Sequence, residues 1–131
     1  MNNDPHNWRI MAVDNELDSL NLMERLLKHR QINYCLLSSG EQCLAQIDKY
    51  QPTILLLDIQ MPVLSGWQVI SLLRSDPHWE TLPIIAVTAH AMHGDRERLL
   101  KAGFTEHFAK PISARKLIEQ IQETLNKGEQ V

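Results

Sequence analysis

Five side chains set the problem this sequence poses: Asp14 and Asn15, then Asp58, Thr88 and Lys110. Two carboxylates, an amide, a hydroxyl and an ammonium stand where short apolar runs end. The clearest case is Asp58. It closes the run Ile54-Leu55-Leu56-Leu57 and leads into Ile59-Gln60-Met61-Pro62, with Gly66 beyond. A run that is apolar at every position suits a strand covered on both faces, as in a parallel sheet between helices. An acid at its end is tolerated where the strand leaves the core, and in open α/β sheets ligands bind at that carboxyl edge. Any one of these residues could simply cap a helix or face solvent. That reading strains to explain all of them at the strand ends of one sheet.

The elements that must position them alternate between short apolar runs and helical patterns. Residues 8–13 read as a first strand, followed by the acidic turn Asp14-Asn15-Glu16. Leu17, Leu20, Met23 and Leu27, with Leu26 alongside, form a helical stripe ending near His29-Arg30. A second strand is expected over 32–37, with Cys35 inside it. Ser39 and Gln42 have capping-box spacing at the start of a helix through Leu44 and Ile47. Pro52 breaks the chain before a third strand over 53–57. Val69, Ile70, Leu72 and Leu73 mark the next helix, which closes at Asp76-Pro77. A fourth strand over 83–87 precedes a weaker helix over 91–102, with Gly103 as its C′ residue. Residues 104–109 hold a short fifth strand. Ser113 can cap the last helix, with Ile112 and Leu117 as a staple and Leu117, Ile121 and Leu125 as its inner face. Five strand-helix pairs joined by right-handed crossovers make an α/β fold, a five-stranded parallel sheet with helices on both faces. Every strand-end loop then falls on one edge.

At 131 residues, 44% hydrophobic and 22% charged, the chain is sized for one domain with its own core. A net charge of −3 gives no basic footprint for nucleic acid. No apolar run approaches the roughly 18 residues of a membrane span, and the polar start lacks a secretory segment. Cys35 and Cys43 have neither metal nor redox spacing, so free thiols in a cytoplasmic protein are expected. Residues 1–7 read as a flexible tail, 8–126 as the domain and 127–131 as a second tail, the whole being either a stand-alone module acting through contacts or a fragment of something longer.

The ordered motifs carry a resemblance. The acidic turn at Asp14, the Asp-x-x-Met-Pro-x-x-x-Gly block from Asp58 to Gly66, Thr88-Ala89 and Lys110-Pro111 fall in order on this strand pattern. Together, over about 8–125, they resemble the receiver domains of two-component response regulators. The resemblance implies a flavodoxin-like sheet in strand order 2-1-3-4-5. It implies that Asp58 accepts a phosphoryl group from a phosphohistidine on a sensor histidine kinase or phosphotransfer protein. A carboxylate is a competent nucleophile for that transfer, and charge developing on the phosphoryl oxygens needs cationic clamps. Lys110 would supply one clamp. Mg²⁺ would supply another, held by Asp14, Asn15, Asp58 and the backbone carbonyl of Gln60. Thr88 would donate to a phosphoryl oxygen, and His107, standing where the family commonly has an aromatic residue, would follow that movement. A cis Lys110-Pro111 bond is implied as well. So is a downstream protein docking on the fourth helix, fifth strand and fifth helix, without membrane or direct nucleic-acid contact. Such a domain is a signalling switch, with no enzymatic activity beyond its own phosphorylation and dephosphorylation.

One position departs from the family. Two adjacent acids usually follow the first strand, and here the second is Asn15, whose amide oxygen brings no charge. Mg²⁺ binding weaker by about 1–3 kcal/mol is the expectation. The departure opens an alternative, a phosphorylation-impaired receiver acting as a constitutive docking module. A phosphatase of the haloacid-dehalogenase type would also use a strand-end Asp, but it needs an acid two residues later, where Gln60 stands. His90, His93 and Glu97 have the spacing of one helical face, yet without a further ligand a solvated helix accounts for them better than a metal site. Trp67 reads as a packing or surface aromatic, as do Trp8 and Trp79. Asp95, Arg96, Glu97, Arg98 and Lys101 read as an exposed face.

Overall fold

The computed structural model describes residues 4–89 and 95–129. Five strands alternate with five helices: Arg9–Val13 (β1), Leu17–His29 (α1), Asn33–Leu37 (β2), Gly40–Tyr50 (α2), Ile54–Asp58 (β3), Gly66–Arg74 (α3), Ile84–Thr88 (β4), Asp95–Ala102 (α4), Glu106–Ala109 (β5) and Ala114–Glu129 (α5). All strand pairs are parallel, in the order β2-β1-β3-β4-β5. This is the expected doubly wound sheet. A 3-10 turn over Pro5–Asn7, capped by Asp4, leads into it.

Successive strand residues point to opposite faces, so strands that are apolar throughout fill two cores at once. Met11, Val13, Leu55, Leu57, Ile84 and Ala86 pack on one side with Cys43 and Ile47 of α2, Val69, Ile70 and Leu73 of α3, and Leu99 of α4. Ile10, Ala12, Ile54, Leu56, Ile85 and Val87 pack on the other with Leu20, Met23 and Leu27 of α1 and Leu117 and Ile121 of α5. Each Val, Leu, Ile or Met among them contributes about 1.5–3 kcal/mol by leaving water. The edge strand β2 is only half-buried, which accounts for its mixed sequence, and Cys35 within it is a partly exposed free thiol.

The boundaries differ from expectation where turn chemistry intervenes. β5 begins at Glu106, two residues late, because Phe104 and Gly103 close α4. The Phe104 N–H donates to Leu99 O (3.0 Å) and that of Gly103 to Leu100 O (3.1 Å). Gly103 has φ 112°, so this is a Schellman closure with glycine in its left-handed position. β4 runs one residue further than expected, to Thr88, which pairs with Ala109. The helix expected over 91–102 is described from Asp95; its first turn, with His90 and His93 just before and within it, lies outside the described residues. Ser39 caps α2 by accepting from Gln42 N (3.1 Å), but the Gln42 side chain accepts from Ser38 N rather than from Ser39 N. A complete capping box forms instead at Ser65 and Gln68, at the start of α3.

Gly66 explains how α3 can start so close to the end of β3. Its N–H donates to Ile59 O (3.1 Å), and a Cβ there would lie 2.5 Å from Ile59 Cα and 2.6 Å from Asp58 O. Both atoms are backbone and cannot swing aside. Gly66→Ala should therefore destabilise the protein by about 1–3 kcal/mol. Urea unfolding would measure this, and an unchanged midpoint would contradict the close approach.

Candidate functional site

Strand register brings the expected residues to one edge. Val13 pairs with Leu57 and Asp58 with Val87, so Asp14 and Asp58 leave neighbouring strands at about the same level. Thr88 pairs with Ala109, and the Lys110 N–H donates to Thr88 O (2.8 Å). Both acids are fixed by their own turns: Asp14 Oδ1 accepts from Glu16 N (2.9 Å) and Asp58 Oδ1 from Gln60 N (3.1 Å). This is the side-chain-to-backbone closure typical of Asx turns. Each leaves its Oδ2 for the cleft.

Lys110 reaches into that cleft, and the peptide bond after it, to Pro111, is cis. Its Nζ lies 2.9 Å from Asp14 Oδ2 and 3.7 Å from Asp58 Oδ2, and it also contacts Glu16 Oε1. The Asn15 amide, oriented to pair donor with acceptor, donates to Gln60 O (3.2 Å) and to Asp58 Oδ2 (3.0 Å). Asn15, Glu16, Asp58, Gln60, Ala89 and Lys110 line a cavity of about 300 Å³. Thr88 is buried and lines an adjoining cavity with Gln60, which is common to both. His107 is half-buried on β5, paired with Ala86, with Nδ1 3.4 Å from Glu106 Oε1.

The charges respond to this crowding. Burial pushes the Asp58 carboxyl up from 3.8 to about 6; the Gln60 N–H and Lys110 pull it down, while Asp14 adds to the rise. Burial alone would lower the pKa of Lys110, but its contacts with Glu16 and Asp14 outweigh this and hold the ammonium above its ordinary value. The site therefore holds more negative charge than Lys110 neutralises.

Glu16 was not among the expected site residues. Its carboxylate joins those of Asp14 and Asp58, with one oxygen from each lying within 4.8 Å of the others. Its place as the second acid of the turn Asp14-Asn15-Glu16 was the available signal. The donors gathered here are carboxylate, carbonyl and amide groups whose oxygens are hard ligands, the chemistry a magnesium ion requires. The residues fit such an ion.

The sequence profile of the response regulator receiver domain matches residues 10–122. The chain belongs to that family. Over 108 residues it is 39% identical to the signal transduction histidine-protein kinase BarA of Escherichia coli K12, covering 82% of this chain but 12% of BarA. The chain thus spans only that small share of the first curated relatives it matches. It is 37% identical over 116 residues to the polar-differentiation response regulator DivK of Brucella ovis, covering 88% of this chain and 94% of DivK. Among solved structures, the receiver domain of the sensor histidine kinase PA1611 from Pseudomonas aeruginosa has a TM-score of 0.82 at 28% identity, covering 91% of this chain and 98% of that one. That structure has a magnesium ion coordinated in its active site cleft. The chemotaxis protein CheY4 of Vibrio cholerae shares the fold, with a TM-score of 0.84 at 20% identity over 89% of this chain and 98% of its own. Receiver domains are signalling modules of two-component systems that interact with histidine kinases or phosphotransfer proteins. They bind Mg²⁺ at an acidic pocket, which this receiver has at Asp14, Glu16 and Asp58.

A buried acid whose pKa is raised favours the unfolded state wherever the unfolded acid is ionised and the folded one resists it. For Asp58 that penalty is absent below about pH 4 and complete above about pH 6. Asp58→Asn should therefore stabilise the metal-free receiver at pH 7 by about 1–3 kcal/mol. The gain should shrink as pH falls through the interval from 6 to 4. Denaturant titrations in EDTA would show this, and equal stability of both proteins at pH 7 would count against it.

Proposed function

We propose that this receiver is a phosphorelay switch in which Asp58 accepts a phosphoryl group from a phosphohistidine on a sensor histidine kinase or phosphotransfer protein. The observation that carries this reading is the convergence of the Asp58 carboxylate and the Lys110 ammonium on one cavity, 3.7 Å apart. Asp58 Oδ2 attacks phosphorus, the phosphorus–nitrogen bond to the donor imidazole breaks, and the imidazole nitrogen keeps the electron pair. Lys110 opposes the charge on the phosphoryl oxygens. Bound Mg²⁺ would neutralise the remaining charge on those oxygens and help fix their orientation, held by Asp14, Asn15, Asp58 and the carbonyl of Gln60. Thr88, at the end of β4, would donate its hydroxyl to a phosphoryl oxygen, and His107 would adjust on β5. The output is a changed surface on α4, β5 and α5 for a downstream protein, with no membrane or nucleic-acid contact. The functional unit is 8–126, in the cytoplasm.

Incubation with acetyl phosphate and Mg²⁺ tests the reading by intact mass. One phosphoryl adduct should form on the wild type and none on Asp58→Asn. Adduct on neither would favour a constitutive docking module, and steady turnover of phosphoesters would favour a phosphatase.

The Asn15 amide lies beside Asp58 and Gln60 but carries no charge to attract a cation. Asn15→Asp should therefore tighten Mg²⁺ binding about 5- to 150-fold, the equivalent of roughly 1–3 kcal/mol. Calorimetric titration of the two proteins decides it; equal affinities would mean that Asn15 is no handicap.

A further inference from the structure

We infer that Glu16 is the acid that completes the Mg²⁺ site of this receiver, supplying the charge that Asn15 lacks. The inference rests on the phosphorelay reading above and names a ligand which that reading does not.

Three observations converge on Glu16. Its carboxylate lies in the cluster with Asp14 and Asp58, although the side chain is 61% exposed and could have pointed to solvent. It stands at the N-cap of α1 yet makes no side-chain capping bond, so the carboxylate is not used to close the helix. The turn that directs it to the cleft is held by its own N–H on Asp14 Oδ1. Asn15, the residue the family pattern would make acidic, brings only a neutral amide next to Asp58 Oδ2 and Gln60 O.

Charge balance points the same way. Asp14, Glu16 and Asp58 are three carboxylates around the single ammonium of Lys110. With all four ionised the group carries a net charge of −2, which one divalent cation neutralises. Without Glu16 the same group would carry −1, and a divalent ion would leave uncompensated positive charge in the cleft. Glu16 also contacts Lys110. The competing account is therefore that it only tethers the ammonium, and the test has to separate the two roles.

Calorimetric titration of Mg²⁺ into the full chain does so. Glu16→Gln should weaken binding about ten-fold. Asn15→Asp added to Glu16→Gln should restore the affinity to within about three-fold of wild type, since the carboxylate count is then unchanged. Asp18→Asn removes a charge from the same first turn of α1, outside the cluster, and should change affinity less than two-fold. In a Lys110→Met background no tether remains, so Glu16→Gln should still cost about ten-fold. Equal affinities in that background would overturn the inference, as would an Asp18→Asn loss as large as that of Glu16→Gln. The phosphoryl adduct on Asp58 is read separately. An adduct on wild type with no effect of Glu16→Gln on Mg²⁺ would sink the inference and leave the function standing; no Mg²⁺ binding and no adduct on wild type would sink both.

Discussion

Two carboxylates brought out of water side by side are the constraint that shapes this molecule. Asp14 is 1% exposed and Asp58 4%, and burying a charge without a partner costs several kcal/mol even after relaxation. Lys110 is the partner, and it can be one only because β5 ends level with β4. Its N–H is pinned to Thr88 O, so the side chain enters the cleft from a fixed backbone. The sheet is thus the scaffold for an electrostatic arrangement that its strands could not support singly. Gly66 serves the same end from the other side, by letting α3 start against the backbone of Asp58 and Ile59.

Far from the cleft edge, a third buried acid is satisfied more completely. Glu106 accepts from Arg96 of α4 (3.3 Å) and lies 3.6 Å from Lys127 of α5, with His107 beside it. Burial alone would raise its pKa, yet Arg96, the His107 N–H and Lys127 outweigh this and hold it below the usual range. The contrast with Asp58 separates two uses of a buried carboxylate. Glu106 has enough partners to join three elements. Asp58 is left short of positive charge, the condition under which perturbed acids mark functional sites.

The sheet and its edge were legible because they follow from composition at single positions. Runs such as Ile54-Leu55-Leu56-Leu57 admit few structures, and a polar residue ending each of them locates the rim. Pairings across elements were not legible. Arg96 reads as one more charge on an exposed face, and nothing local shows that Glu106, ten residues on in β5, is its partner. Trp67 has the same ambiguity. In the fold it meets Phe104 edge-on (centroids 6.0 Å apart) and carries the Arg98 guanidinium 5.1 Å above its ring. Glu16 is a different case: the two preceding positions are where the family keeps its acids, and only the folded turn brings the Glu16 carboxylate to those of Asp14 and Asp58. The box at Ser65 was readable from its Ser-x-x-Gln spacing.

What can move follows from what is weakly held. The inner strands β1, β3 and β4 are buried on both faces and cannot shift without opening two cores. The described part of α4 buries one apolar side chain, Leu99. Its charged contacts to neighbouring elements include the pair of Arg96 with the buried Glu106 and the stacking of Arg98 on Trp67, the stacking worth about 1 kcal/mol or less. Ile59, Gln60, Trp67, Thr88, Asp95, Arg98 and Leu99 line one cavity of about 210 Å³, so α4 shares a wall with Gln60 at the cleft. On the proposed reading, one new charge-assisted hydrogen bond at Thr88, worth about 1.5–3 kcal/mol, is enough to compete with the Arg98–Trp67 stacking. On that reading α4, whose described residues bury only Leu99 among apolar side chains, is the element through which an event at Asp58 would reach the surface, while the inner strands that position the chemistry stay fixed.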